Sequence, residues 1–152
     1  MSLFNLEGKV ALITGSTKGI GKAIATRMAE QGAKVVISSR NQDLCDEVAA
    51  EIKGKGGAAI AISCNINYKE QLENLVLQTE QQLGKINALV CNAAINPYFG
   101  SSQEIPDSAF DKSYACQYWQ RASLVPACYP GHGREWWRGC DHRVINWWTK
   151  RL

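Results

Sequence analysis

The segment of residues 14–21 has the composition of a phosphate-binding loop. It reads Thr-Gly-Ser-Thr-Lys-Gly-Ile-Gly. Glycine allows a tight turn and lets backbone N–H groups approach a pyrophosphate, and a following helix adds partial positive charge at its N-terminus. A purely structural turn is the alternative, but an apolar run precedes this segment and a helical pattern follows it, which favours phosphate binding. The residues predicted to form the loop are Gly15, Ser16, Thr17, Lys18, Gly19, Ile20 and Gly21.

A second chemical signal is the pair Ser39-Arg40, which follows the second apolar run. An enzyme that uses NAD usually has Asp or Glu at this place, where it binds the ribose 2′-hydroxyl. The guanidinium of Arg40 can instead pair with a 2′-phosphate, and Lys18 in the glycine loop can reach the same group. Both cations could also be ordinary solvated surface residues. Arg40 and Lys18 both have the positive charge and the place in the chain that binding of a 2′-phosphate requires. The sequence therefore favours NADP over NAD as the cofactor.

The elements that position these residues alternate between strand and helix. Short apolar or β-branched runs predict strands at 10–13, 34–39, 58–63 and 86–90. Helical patterns are found at 19–31, at 47–53 with Asn41 as the cap, and at 68–83. The first helix has a predicted stripe of Ile20, Ala23, Ile24 and Met28. This alternation gives right-handed βαβ units, so we predict an α/β fold, a Rossmann-like doubly wound parallel sheet truncated at about four strands.

Four strand ends in order resemble the short-chain dehydrogenase/reductase family. The glycine loop has the family's T-G-x-x-x-G-x-G spacing, and Cys91-Asn92-Ala93-Ala94 matches its N-N-A-G segment with two changes. Asn65 stands where the family usually has an aspartate that contacts adenine, and a simple turn asparagine is an equal alternative there. Residues 95–100 look like the carbonyl-reductase branch of the family.

The resemblance covers residues 7–113 and implies an activity. Members reduce a carbonyl with NADPH, or oxidise an alcohol in the reverse direction. By the same resemblance, Asn65 and Ile66 are expected to face adenine. The segment Asn92, Ala93 and Ala94 is expected to line the cofactor near the nicotinamide ribose.

The family's catalytic residues are absent from these 152 residues. Members use a serine and a Tyr-x-x-x-Lys, in which the tyrosine exchanges a proton with the substrate oxygen and the lysine lowers the tyrosine pKa. No tyrosine of this chain has lysine at the fourth following position. We therefore assign no catalytic residue and expect a truncated, inactive chain.

Composition changes abruptly near Ser113. Residues 1–113 include eleven basic and twelve acidic residues, whereas residues 114–152 include six basic and two acidic ones. The second part also contains all five tryptophans and has no clear helical or strand period. We predict a nucleotide-binding Rossmann half-domain at 1–113 and a poorly ordered, Trp- and Arg-rich tail at 114–152.

A second domain is one explanation of the tail, and a shift in reading frame is the one that we predict. Tryptophan has the single codon TGG, so reading from the second nucleotide of each codon turns every Trp into Gly. The tryptophan pairs at 136–137 and 147–148 must each become Gly-Gly in the shifted frame. The codons of the surrounding residues permit a shifted amino-acid sequence that resembles the family's fifth strand and catalytic-serine segment. Residues 117–119 likewise permit Asn-Ile-Gly, resembling the family's fourth helix. We expect the break between Phe110 and Tyr114.

The tail also admits other interpretations. The possible ligands Cys128, His132, Cys140 and His142 do not have a usual zinc spacing, so we assign no metal. Arginine with tryptophan could bind single-stranded nucleic acid, but no motif supports it and we expect no such partner. An alternative function for the chain is non-catalytic nucleotide or partner binding, with the basic tail as a distinct module.

Location and partners follow from what the sequence contains. There is no apolar run of about 18 residues, and the first residues have neither a basic nor an apolar region typical of a secretory signal. The six cysteines have irregular spacing, which suits a reduced chain. We expect a cytoplasmic protein without membrane association, whose partners are a nicotinamide dinucleotide and, in intact relatives, a small carbonyl or alcohol substrate.

Overall fold

The computed structural model describes residues 4–128. Strands and helices alternate along this part of the chain, as the sequence predicted. In chain order the elements are β1 (Val10–Thr14), α1 (Gly19–Glu30), β2 (Lys34–Ser38), α2 (Gln42–Gly54), β3 (Ala58–Ala61), α3 (Lys69–Leu83), β4 (Ala88–Val90), a 3₁₀ turn (Ser102–Glu104) and α4 (Asp107–Cys128). Within residues 4–128, the helices lack the combination of length and apolar composition that a membrane span requires.

The sheet is parallel, with the strand order β3-β2-β1-β4. On one side of β1, Thr14 is opposite Ser38 of β2, and on the other side Ile13 is opposite Val90 of β4. A parallel strand covered on both faces must be apolar along its whole length, and all of β1 is buried. The chain passes from β3 across to β4, so the carboxyl ends of β1 and β4 form the switch point at which open α/β sheets bind ligands.

Helices cover both faces of the sheet, which confirms the doubly wound prediction. Alternate residues of β1 point to opposite faces: Val10 and Leu12 belong to one core cluster, and Ala11 and Ile13 to the other. The first cluster is completed by buried residues of α3 and α4. The second is completed by α1 and α2.

The buried face of α1 differs from the predicted one. The sequence predicted the stripe Ile20, Ala23, Ile24 and Met28. In the structure Ala23 is exposed, Ile24 and Met28 are half-buried, and 75% of Ile20 is exposed. The buried residues are instead Gly21, Ala25 and Ala29, at intervals of four. Small residues allow α1 to lie close to the sheet, so its larger apolar side chains are displaced to the edges of the contact.

Helix α4 also differs from the prediction. Residues 114–128, for which no regular element was predicted, continue α4 without interruption. Its buried side chains include Cys116, Leu124 and Cys128 but also the polar Gln120 and Ser123. These two polar residues interrupt the apolar pattern, which is why the helical period was not evident. The domain boundary at residue 113 stays a prediction, and residues 129–152 of the predicted tail lie outside the described residues.

Candidate functional site

The turn after β1 has two glycines in the left-handed region, and they differ in their surroundings. Gly15 has φ +66° and Gly19 has φ +55°, a conformation that other residues rarely adopt. A Cβ on Gly15 would lie 3.0 Å from the Cα of Ala93, so Gly15 packs against the segment after β4. A Cβ on Gly19 would meet nothing within 4 Å. The turn is therefore packed on one side and open at Gly19.

The N-terminus of α1 lies at this open side. Its cap residue, Lys18, makes no side-chain capping hydrogen bond, and the first turn contains no acidic residue. The first N–H groups of a helix have no intrahelical acceptor, and they favour an anion. Lys18, Gly19 and Ile20 are exposed, whereas Thr17 is half-buried. This end of α1 is thus able to accept a phosphate group.

Gly21, in contrast, is buried in the contact between α1 and the turn. A Cβ added there would lie 2.2 Å from the carbonyl oxygen of Gly15 and 2.5 Å from Nδ2 of Asn92. Such approaches are far below van der Waals contact. Gly21 is therefore required for packing, while Gly19 borders open space.

Ser16 connects the turn to β2. Its hydroxyl donates to the carbonyl of Ile13 over 2.8 Å and accepts from the N–H of Ser38 over 2.8 Å. Its own N–H donates to the carbonyl of Ser38 over 3.1 Å. Ser16 is fully buried, so its polar groups support the loop from within rather than reaching an open surface.

Asn92 connects the same turn to β4. Its side-chain amide donates to the carbonyl oxygens of Thr14 and Gly15 over 3.0 and 3.1 Å. The hydroxyl of Thr14 accepts from the N–H groups of Asn92 and Ala93, each over 3.1 Å. Thr14 begins the glycine motif but was not among the residues predicted to bind the cofactor. Asn92 and Ala93 are half-buried at this junction, and Ala94 is exposed next to it.

Arg40 is exposed and lies two residues after Ser38, the last residue of β2, which Ser16 joins to the glycine turn. Within residues 4–128, neither Arg40 nor Lys18 takes part in a salt bridge. Ser39 differs, because its hydroxyl accepts from the N–H of Asn41 over 3.3 Å and lies 3.3 Å from the sulfur of Cys45. Ser39 thus supports the start of α2, whose cap at Asn41 is confirmed by the hydrogen bond that its side chain accepts from Leu44.

The residues after β3 lie next to Ser39, since the N–H of Cys64 donates to the Ser39 carbonyl over 2.8 Å. Asn65 is half-buried there, and its side-chain oxygen accepts from the N–H of Asn67 over 3.1 Å. Its own N–H donates to Oε1 of Gln71 over 2.7 Å. Ile66 is 7% exposed and belongs to a core cluster. Asn65 therefore makes an asparagine turn, with its side-chain NH₂ as the remaining donor.

The cysteines that follow β3 and β4 are not activated nucleophiles. Burial raises the pKa of Cys64 to about 11. Burial also raises the pKa of Cys91, partly offset by the positive charge of Arg121. A thiolate is the reactive form, so both groups stay protonated and inert near neutral pH. Across residues 4–128 no cluster of three His, Cys, Asp or Glu residues is arranged to hold a metal ion.

The structure therefore brings the sequence-predicted residues to one edge of the sheet. The glycine loop contacts Asn92 and Ala93 directly, and Ser16 joins it to Ser38 at the end of β2, two residues before Arg40. Gln120 of α4 completes the junction, because its side-chain amide donates to the carbonyl of Ala93 over 2.8 Å and accepts from the hydroxyl of Thr14. No sequence motif indicated Gln120, since it lies in the segment that had no recognisable period.

The sequence of this chain is similar to those of known dehydrogenases. A family model described as short chain dehydrogenase matches residues 9–130. The chain is 40% identical over 125 residues to the bovine dehydrogenase/reductase SDR family member 4, covering 82% of this chain and 45% of that relative. It is 45% identical over 107 residues to short-chain dehydrogenase/reductase SDRA of Arabidopsis thaliana, covering 70% of this chain and 42% of that relative.

Solved structures of dehydrogenases also superpose on this chain. A short-chain type dehydrogenase/reductase from Mycobacterium marinum superposes with a TM-score of 0.74 at 35% identity, covering 82% of this chain and 52% of that one. A hydroxysteroid dehydrogenase from Escherichia coli gives a TM-score of 0.76 at 35% identity, covering 84% of this chain and 51% of that one. The chain thus spans less than half the length of the curated relatives named above.

Proposed function

The chain belongs to the short-chain dehydrogenase family, and from this premise we propose that it binds NADP(H) at the carboxyl ends of its strands. The observation that carries the proposal is the open, uncapped N-terminus of α1 at Gly19, reached from a turn that Asn92 and Ser16 hold in place. The pyrophosphate would lie against this helix end. Backbone N–H groups and the helix dipole supply the attraction, so no charged side chain is needed at that point.

The preference for NADP over NAD rests on Arg40 and Lys18. Both side chains are exposed, and neither is engaged in a salt bridge within the described part of the chain. Binding a 2′-phosphate would therefore not require an existing ion pair to break. An arginine offers a planar fork that matches phosphate oxygens, which gives a charge-assisted pair.

The two ends of the dinucleotide would lie on either side of the turn. The adenine would extend past Arg40 toward Asn65, whose side-chain NH₂ is a donor for a ring nitrogen. The backbone of Ile66 would border it, since the Ile66 side chain belongs to the core. The nicotinamide ribose would lie on the opposite side, next to Asn92, Ala93 and the exposed Ala94.

The reaction class proposed for the protein is interconversion of a carbonyl and an alcohol. The coenzyme supplies the hydride chemistry, and the protein binds and orients it. The 152 residues contain no Tyr-x-x-x-Lys and so no positioned proton donor for the developing alkoxide. We therefore propose that a polypeptide of these residues binds the coenzyme without turning over a substrate.

Substitution of Arg40 tests the coenzyme preference. We expect Arg40→Ala to weaken NADPH binding by about tenfold or more, because the 2′-phosphate of NADPH loses its arginine partner. NADH has no 2′-phosphate, so its binding should be nearly unchanged. Isothermal titration calorimetry of the full chain measures both constants. Arg27→Ala is the matched control, since Arg27 is an exposed arginine on α1 that pairs with Glu30 over 2.6 Å. An Arg40 variant that loses both coenzymes equally, or neither, would contradict the preference.

A further inference from the structure

We infer that Gln120 is a positioning residue for the coenzyme cleft, an inference that rests on the proposed function. Gln120 lies in the middle of α4, 106 residues from Thr14 in the chain. Its side-chain oxygen accepts from the Thr14 hydroxyl, and its side-chain nitrogen donates to the Ala93 carbonyl over 2.8 Å. One amide thereby joins the end of β1, the end of β4 and α4.

The polar character of Gln120 is unexpected at its place in α4. Cys116, Gln120, Leu124 and Cys128 form a buried row at intervals of four, and Gln120 is the polar member of that row, 2% exposed. A buried amide is costly unless both its donor and its acceptor are satisfied. In Gln120 both groups are satisfied at the two strand ends, the oxygen by the Thr14 hydroxyl and the nitrogen by the Ala93 carbonyl.

The Thr14 hydroxyl shows how Gln120 would act at a distance. A hydroxyl has one hydrogen and two lone pairs. Here the hydrogen goes to Gln120, and the lone pairs accept from the N–H groups of Asn92 and Ala93, each over 3.1 Å. The Gln120 oxygen thus orients the hydroxyl so that it receives both donors of the segment after β4. The nearest other acceptor for the hydrogen is the Val90 carbonyl at 3.4 Å.

The Ala93 carbonyl is held by the other end of the same side-chain amide. Its donor is the Gln120 amide nitrogen. The Cα of Ala93 lies against Gly15, where an added Cβ would be only 3.0 Å away. Because Ala93 packs against Gly15, a rotation of the peptide at Ala93 would displace atoms that pack against the glycine turn. Gln120 would hold the turn in its binding geometry before the coenzyme arrives, which lowers the cost of binding.

Two substitutions of Gln120 separate this role from simple packing. Gln120→Leu keeps the volume but removes both hydrogen bonds, and we expect NADPH affinity to fall by about tenfold. Gln120→Glu keeps the shape, and its protonated form can both accept from Thr14 and donate to Ala93. Its ionised form accepts only, and it places a negative charge against the Ala93 carbonyl. Gln117→Leu, at an exposed position of the same helix, is the matched control.

Burial raises the pKa of the carboxyl introduced by Gln120→Glu, and the pH dependence of the free energy of unfolding of this variant measures that pKa. The deciding readout is the NADPH dissociation constant of the full chain on either side of the measured pKa, each divided by the wild-type value at that pH. We expect the Gln120→Glu ratio to be near one below the pKa and about tenfold above it. A ratio that is the same on both sides of the pKa overturns the inference, even if Gln120→Leu fails to fold. So does a folded Gln120→Leu variant with wild-type affinity. If the wild-type chain binds neither coenzyme, the proposed function itself is wrong and this inference falls with it.

Discussion

The side-chain amide of Asn92, just after β4, donates to the carbonyl oxygen of Gly15, just after β1, over 3.1 Å. A second bond from the same nitrogen reaches the Thr14 carbonyl over 3.0 Å. Two strands that are far apart in the chain therefore share one rigid junction at their carboxyl ends. The junction fixes the position of the glycine turn, because both carbonyl oxygens that accept from Asn92 belong to its first two residues.

Gly21→Ala is expected to disrupt the junction. The new Cβ would lie 2.2 Å from the Gly15 carbonyl oxygen, which is backbone and cannot rotate away. We expect destabilisation of roughly 1–3 kcal/mol, as for other overpacked sites, together with a loss of NADPH affinity. Urea unfolding and calorimetric titration measure the two effects.

Gly54→Ala is the control for that experiment. A Cβ at Gly54, in the last turn of α2, would meet nothing within 4 Å. Alanine is favoured over glycine in helices, so we expect a neutral effect or a gain of up to about 1 kcal/mol. If Gly21→Ala matched Gly54→Ala in stability and affinity, the close packing described for Gly21 would be incorrect.

Glu51 gives the fold a pH-dependent contribution. Hydrogen bonds from Lys22 and then Lys55, over 2.6 and 2.8 Å, hold the pKa of the Glu51 carboxyl at about 2. In the unfolded chain that pKa returns to about 4.3. Because the folded value is the lower one, the stabilisation is present above the unfolded pKa and is lost as the pH falls toward about 2.

We therefore expect Glu51→Gln to lower the free energy of unfolding slightly at neutral pH. The difference from wild type should shrink between about pH 4.3 and about pH 2, because the wild-type carboxyl then becomes neutral as well. Urea unfolding across this pH range provides the measurement. Glu73→Gln is the control, since Glu73 has a single, longer ion pair of 3.5 Å with Lys69. A Glu51→Gln effect that is the same at all pH values would contradict the argument.

The proposed shift of reading frame makes a prediction about the coding DNA. We expect a gain or loss of one base in the codons for residues 110–114 to open a longer frame, because the tryptophan pairs then become glycine pairs of the family's later segments. Resequencing of this region is the measurement. A coding sequence in which no single-base change there extends the frame would refute the shift.

Much of the fold could be predicted because it depends on strong local patterns. The apolar run of β1 and the glycines at positions 15, 19 and 21 define a strand, a turn and a helix start within a few residues. Parallel strands must then bring their ends to one edge. The neighbours of β1 in the sheet were not predicted, because no pattern in β1 itself indicates which strands pair with it.

The parts that could not be predicted depend on contacts between distant residues. Ile20 belongs to an apolar stripe by spacing, yet 75% of it is exposed because α1 approaches the sheet through Gly21 and Ala25. Ser16 lies in the loop motif, but its hydroxyl is used between Ile13 and Ser38. Neither fact can be read from neighbours in the sequence, since each is decided by how closely a second element packs.

Titration of the purified full chain with NADPH, and in parallel with NADH, is the decisive test of the proposed coenzyme binding. We expect saturable binding of NADPH that is tighter than binding of NADH, measured by calorimetry on a sample whose folding is verified by circular dichroism. The reason is that the open end of α1 would bind the pyrophosphate of both coenzymes, while Arg40 and Lys18 would have a partner only in the 2′-phosphate. A folded chain with no affinity for either coenzyme would contradict the claim, and tighter NADH binding would contradict the assigned role of Arg40.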